Sequence, residues 1–261
     1  MAWLSAAEAA DRLGVSVQRV HQLLNAGALA GQRPGREWLI DEADLPRVRH
    51  QQAGRPLSPT SAWSLAVFVH NDELARQLLS PSDRSRAKSR LRELARLRNH
   101  MVHGSESTAF DQSVRELSGS LNQMLRSRAV RQTYRASERD LEDLRTDARV
   151  RLAGVSASAA EMAAEDMVEA YVDERHASDV IEDYLLDVAG PGHSNVVLHV
   201  VPDEVNELAA AVPPDSWLLL AADLAEHSGP RELTQAVRLL AGLEELDDSG
   251  RLSRHHSPHR G

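Results

Sequence analysis

The chain has 261 residues, is 42% hydrophobic but only 3% aromatic, carries a formal net charge of −9 at pH 7 and contains no cysteine. That length suits two domains joined by a connecting region, and their cores should be built from Leu, Val and Ala. The lack of cysteine excludes disulfides, zinc ribbons and thiol catalysis; no apolar run of about 18 residues and no basic-then-apolar leader is present, so the expectation is a soluble, cytoplasmic protein with no membrane role.

The charge is uneven. Residues 1–55 hold seven basic and six acidic side chains, residues 56–150 sixteen and twelve, and residues 151–261 seven and twenty-one. The C-terminal third should therefore avoid nucleic acid and suit a basic protein surface.

The first predicted helix opens at Ser5, with Glu8 three residues on. This is a capping box, in which the hydroxyl accepts from an early backbone N–H and the glutamate reaches back to the cap. Ala6, Ala9, Ala10 and Leu13 then share one apolar face. Gly14 ends the helix with a tight turn and Ser16 caps the next one. That helix should turn Val17, Val20, Leu23 and Leu24 inward and Gln18, Arg19, His21, Gln22 and Asn25 mostly outward, and Gly27 stops it. Two short helices joined by a glycine-containing turn form a helix-turn-helix, whose second helix enters the major groove. Leu29 to Ile40 reads as a hairpin around Arg33-Pro34-Gly35-Arg36, the wing, and Asp41 caps a short last helix. The candidate DNA-binding residues are Ser16, Gln18, Arg19, His21 and Gln22 on the second helix and Arg33 and Arg36 at the wing tip. Amides and guanidinium groups match base edges, and wing arginines meet phosphate or the minor groove. The segment resembles the excisionase and MerR-like helix-turn-helix family through Glu8-Ala9-Ala10, Gly14-Val15-Ser16 and Gly35-Arg36-Glu37-Trp38. The resemblance implies double-stranded DNA as partner. One copy is only mildly basic, so a homodimer on two half-sites is expected.

Gln51 to Ala62 is a Gly/Pro/Ser-rich linker. An apolar segment, Trp63 to His70, and a helix from Leu74 follow. Ser80-Pro81-Ser82-Asp83 then opens a strongly basic helix with seven basic residues from Arg84 to Arg98 and an apolar stripe of Leu91, Leu94, Leu97 and Met101. Its basic face is either a phosphate-contacting surface or a solvated one. A further helix is expected from about Phe110 to Val130, a short capped helix over Ser137 to Leu144, and a strand over Arg149 to Leu152. Met162 to Val172 and Ala177 to Asp187 read as helical, or partly extended near Tyr171. Asn195 to Val201 is the clearest strand. WLLLAADLAEH is a strand or a buried helix, and Pro230 to Leu243 is amphipathic. His199, inside the apolar strand, fits a hydrogen-bonded core histidine better than a ligand. Asp173-Glu174 and Glu182-Asp183 should lie at the surface.

The expected fold class is mainly α (α+β): a winged helix-turn-helix over residues 1–52, a helical connecting region over 53–150, a small acidic α/β domain over 151–246 and a disordered tail over 247–261. That tail holds His255, His256 and His259, which are not expected to form a metal site. No phosphate-binding glycine loop, GxSxG or HExxH occurs, so no cofactor, no metal and no catalytic residue is expected.

Beyond residue 55, Arg55-Pro56-Leu57-Ser58-Pro59, Leu79-Ser80-Pro81-Ser82-Asp83-Arg84, Tyr134-Arg135-Ala136, Ala153-Gly154-Val155-Ser156, Glu169-Ala170-Tyr171-Val172, Asn195-Val196-Val197-Leu198 and Ala222-Asp223-Leu224-Ala225-Glu226 look like a group of actinobacterial proteins related to AbiEi-type antitoxins of abortive-infection systems. The resemblance implies a repressor fused to an antitoxin domain. Its implied partner is a nucleotidyltransferase-like toxin, and its implied role is transcription regulation within a toxin–antitoxin system. An alternative comes from Arg98-Asn99-His100-Met101-Val102-His103. The Arg98 and His103 spacing resembles the motif of HEPN ribonucleases, in which an arginine holds phosphate and a histidine moves protons. A helix end finished by basic residues and Gly104 accounts for the same residues without chemistry.

Overall fold

The computed structural model describes residues 3–13, 16–25, 29, 31–32, 38–41, 57–102, 117–162, 166–190, 192–227 and 229–240. These are mostly helical, with two small sheets. Among them no helix is long and apolar enough to cross a membrane.

The N-terminal unit consists of β1 (Trp3–Leu4), α1 (Ala6–Leu13), α2 (Val17–Asn25), β2 (Gly31–Gln32) and β3 (Leu39–Asp41). The three strands are antiparallel, with β3 in the middle. Leu4, Ala9, Ala10, Val20, Leu23, Leu24, Leu29 and Ile40 form its core, with Trp38 and Ala6 packed against it. The small alanines of α1 let α2 approach closely. Val17 departs from the inward stripe expected of it and is 42% exposed. It is the first residue of α2, and the cluster closes only on the next turn, at Val20. Gly31 shows how tightly β2 meets the helix: a Cβ there would lie 2.6 Å from Leu24 Cδ2 and 3.2 Å from the Leu39 carbonyl oxygen. The expected wing tip, residues 33–36, and the helix expected after Asp41 lie outside the described residues.

Residue 57 onward starts with three capped helices. Ser58 accepts from the Ser61 N–H at 3.2 Å and opens α3 (Pro59–His70), with proline in the first turn. Asn71 ends α3 and caps α4 (Asp72–Leu78) by accepting from the N–H groups of Glu73 and Leu74. Ser80 accepts from Asp83 N–H at 3.2 Å at the start of α5 (Pro81–Val102). Residues 117–125 are helical, and a 3-10 turn, Arg126–Arg128, follows. The helix expected to reach Val130 thus ends at residue 125. Val130 instead begins strand β4 (Val130–Arg135), whose Val130, Thr133 and Tyr134 are β-branched or aromatic.

The second sheet comprises β4, β5 (Val150–Leu152), β6 (Val168–Asp173), β7 (Asp187–Val188) and β8 (Val196–Val201), in the order β5-β6-β8-β4-β7. Only β6 and β8 are parallel, and the crossover between them carries α7 (Glu174–Asp183). Helix α6 (Leu141–Thr146) precedes β5. The segment from Met162, expected as helical or only partly extended, is strand from Val168. Its apolar and polar residues alternate with period two, which a half-turn rotation per residue requires. The strand expected over Arg149 to Leu152 forms as β5, and all six residues of β8 are buried. Register places Val150, Val172, Val200 and Val130 in one row across the sheet. The same face carries Tyr134, Ala170 and Leu198, covered by Leu141, Leu144, Ala177 and Val180 of α6 and α7.

The other face is covered by α3, which precedes the sheet in the chain, and by helices that follow it. After β8 come α8 (Asn206–Ala210), α9 (Trp217–Ala225) and α10 (Pro230–Leu239). The ambiguous apolar segment is therefore the helix α9, buried at eight of its nine positions. Its Leu218, Leu220 and Leu224 join Leu65 of α3, Leu91 and Leu94 of α5 and Leu117 and Leu121 in one cluster. This core, like the sheet, runs across residue 150.

Candidate nucleic-acid interface and a buried polar network

The first helix is fixed by the capping box read from its sequence. Ser5 Oγ accepts from Glu8 N–H at 3.3 Å, and Glu8 Oε2 accepts from the Ser5 N–H at 2.8 Å. The Ser5 N–H bond, with the hydroxyl and Arg12 adding to it, holds the Glu8 carboxyl below the usual range. Ser16 starts α2, its carbonyl accepting from Val20 N–H at 3.1 Å. Along α2 the buried Val20, Leu23 and Leu24 face α1, while Gln18 and His21 are exposed, as is Ser16. Positions 18, 21, 22 and 25 share one helix face by their three- and four-residue spacing. Gln18 and His21 are thereby presented together, and Ser16 is exposed just before the helix begins. Arg19 and Gln22 belong to the same helix, with side chains outside the described set, as are Arg33 and Arg36.

Of the alternative pair, Arg98 is 8% exposed on α5, and burial lowers its pKa. His103 lies outside the described residues. The α5 face opposite the core presents Arg86, Arg92 and Arg96 to solvent. Among the described residues no group of three or more His, Asp or Glu side chains is arranged to hold a metal ion. His255, His256 and His259 lie outside the described residues.

The polar face of the second sheet holds a cluster that the sequence did not single out. Strand β6 projects Glu169 and Tyr171 toward α9, and β8 places His199 beside Tyr171 in register. Arg128, 1% exposed, enters from the 3-10 turn. Its Nε donates to Tyr171 Oη at 2.6 Å, Nη2 to Asp223 Oδ1 at 2.5 Å and Nη1 to Glu226 Oε1 at 2.7 Å. Tyr171 Oη in turn donates to Asp223 Oδ1 at 2.7 Å, and the Arg128 carbonyl accepts from Trp63 Nε1 at 2.8 Å. The Gly154 N–H points at Asp223 Oδ2 at 3.3 Å.

Glu169 extends the network. Its Oε1 lies 2.8 Å from His199 Nε2, and its Oε2 lies 2.8 Å from His227 Nε2 and accepts from Val155 N–H at 2.9 Å. An ionised carboxylate only accepts, so both imidazoles carry hydrogen on Nε2. Burial alone would raise the Glu169 carboxyl, but the bonds from His199 and His227 hold it well below its ordinary value. Burial works against the charge on Arg128 too, yet Glu226, Tyr171 and Asp223 raise its pKa well above the usual one. Burial raises the Asp223 and Tyr171 groups. His227 is raised: its burial acts downward, and Glu169 outweighs it.

Gly154 makes room for this arrangement. Its φ of +49° lies in the left-handed region, and a Cβ there would lie 1.9 Å from Glu169 Oε2. Chemically the cluster ties the sheet to the end of α9 through fully engaged charges. His199 is the hydrogen-bonded core histidine that its strand suggested. The partners it needs carried two weak signals: Glu169 and Tyr171 at alternate positions of a buried strand, and Asp223 as the lone charge of an apolar helix.

A family model described as a helix-turn-helix domain matches residues 3–52. No curated protein and no solved structure matches the chain. The N-terminal unit is thus a helix-turn-helix of the DNA-binding kind, in line with the excisionase-like reading of that segment.

Proposed function

We propose that this protein is a transcriptional repressor that also serves as an antitoxin. As a homodimer, it binds double-stranded operator DNA through α2 and the segment around Arg33 and Arg36, and it binds a nucleotidyltransferase-like toxin through its C-terminal part. It acts in the cytoplasm by binding, not by catalysis. The observation that carries the reading is the exposed Ser16, Gln18 and His21 on a capped helix-turn-helix whose opposite face is packed in its own core. Base edges are read by such side chains from the second helix of the unit. The antitoxin part rests on the sequence motifs spread from Arg55 to Glu226. The acidic balance of residues 151–261 suits a protein partner better than a second nucleic-acid contact.

The burial of Arg98 speaks against the ribonuclease alternative, since a phosphate-holding guanidinium must meet its substrate. The test is a mobility shift of the duplex immediately upstream of its own gene, with the native chain and with Gln18→Ala/Arg19→Ala. The expected result is a shift that the variant loses. An equal shift by both would overturn the assignment of α2. Growth of a host expressing the native chain alone, compared with His103→Ala, separates the alternative. Harm that disappears with His103 would make this chain a nuclease.

A further inference from the structure

Helix α5 is the most basic element of an acidic protein. Within its 22 residues it carries seven Arg or Lys against Asp83 and Glu93, while the whole chain is −9. Its inner side is fixed: Ala87, Leu91, Leu94 and Ala95 are buried in the large core cluster. Its outer side presents Ser82, Ser85, Arg86, Ser89, Arg92 and Arg96, all exposed, with Glu93 the one acidic side chain exposed among them. These positions recur at three- and four-residue intervals, so they form one stripe along the helix. Fourteen residues of rise make that stripe about 21 Å long. B-DNA presents on the order of a dozen phosphate charges over such a length, counting both strands. Arginine and serine are the side chains that hold phosphate oxygens. The ion pair of Arg86 is with Asp83 of the same helix, at 2.6 Å, with the arginine 57% exposed. An exposed pair of that kind is weak and easily exchanged for a phosphate.

We infer that this face of α5 is a second DNA-contacting surface, which holds the phosphates of the duplex flanking the segment bound by α2 and reads no sequence. The inference rests on the DNA-binding reading above and deepens it. It accounts for the near-neutral balance of the helix-turn-helix segment, in which seven basic side chains face six acidic ones and phosphate attraction is correspondingly small.

The test uses the full chain and a mixed-sequence duplex, with affinity measured at several salt concentrations from roughly 50 to 200 mM. The variant is Arg86→Gln/Arg92→Gln/Arg96→Gln. All three sites are exposed, so its thermal unfolding midpoint should match that of the native protein. The log–log salt slope should become shallower by about 0.9 for each phosphate that the variant no longer neutralises, and low-salt affinity should fall on the order of tenfold or more. Arg175→Gln, at an exposed arginine of α7, should change neither. An unchanged slope in the triple variant would overturn the inference while leaving the reading of α2 intact. An unchanged slope accompanied by lost self-association would assign the face to the acidic surface of a second copy instead. If the native chain binds no duplex at any salt, the DNA-binding reading falls, and this inference with it.

Discussion

His227 Nε2 lies 2.8 Å from Glu169 Oε2, joining the chain just beyond the end of α9 to the buried strand β6. The two groups shift in opposite directions, His227 upward and Glu169 downward, and each shift makes folding depend on pH.

A raised histidine contributes stability that is complete below its unfolded pKa, about 6.5, and is lost as pH rises through the higher folded value. A lowered glutamate contributes stability present above its unfolded pKa, about 4.3, and lost as pH falls through its lower folded value. The pair is therefore most stabilising between about pH 4.3 and 6.5, and its contribution declines toward alkaline pH. Urea unfolding of the native chain and of His227→Gln, across that range and above, checks the sign. The amide of the variant can donate the same bond without titrating, so the decline above neutral pH should flatten. An identical decline in both would place its origin elsewhere.

Arg128 is the centre of the second half of the network. Its guanidinium meets Tyr171, Asp223 and Glu226 while only 1% exposed. Arg128→Met leaves the fully buried Asp223 without its cation, while Glu226 keeps Arg131 at 3.5 Å. Breaking a buried ion pair on one side costs about 3–5 kcal/mol, and denaturant unfolding should show a loss of that size. A loss under about 1 kcal/mol would mean that water, not Arg128, satisfies the carboxylates.

Gly154 tests the same region through the backbone. Alanine at φ +49° costs about 1–2 kcal/mol, and its Cβ would strike Glu169 Oε2. Gly154→Ala should therefore destabilise by more than that strain alone and, by displacing Glu169, should weaken the pH dependence as well. If stability falls but the pH profile keeps its shape, the glycine serves the turn and not the carboxylate.

What could be read from the sequence was local. The capping box of Ser5 and Glu8 formed as expected because both partners lie within one helical turn. The strand at β8 was legible from four valines within six residues, bounded by Ser194 and Pro202, and α2 from the spacing of Val20, Leu23 and Leu24. The polar network was not legible, because its partners are far apart in the chain. Arg128 bonds across 43 residues to Tyr171, 95 to Asp223 and 98 to Glu226. Only the fold brings them together. Val17 shows a smaller limit: helical periodicity assigns a side to a residue, but not whether the neighbouring helix extends far enough to cover it.

We propose that α2 reads DNA for a dimer. The most direct measurement is selection of bound duplexes from a random-sequence pool by the full native chain, with Gln18→Ala/Arg19→Ala in parallel. The account predicts an inverted repeat with half-sites about 10 base pairs apart or a multiple of that for the native chain, and no enriched repeat for the variant. A native chain that enriches no sequence, or a variant that enriches the same repeat equally well, would contradict it.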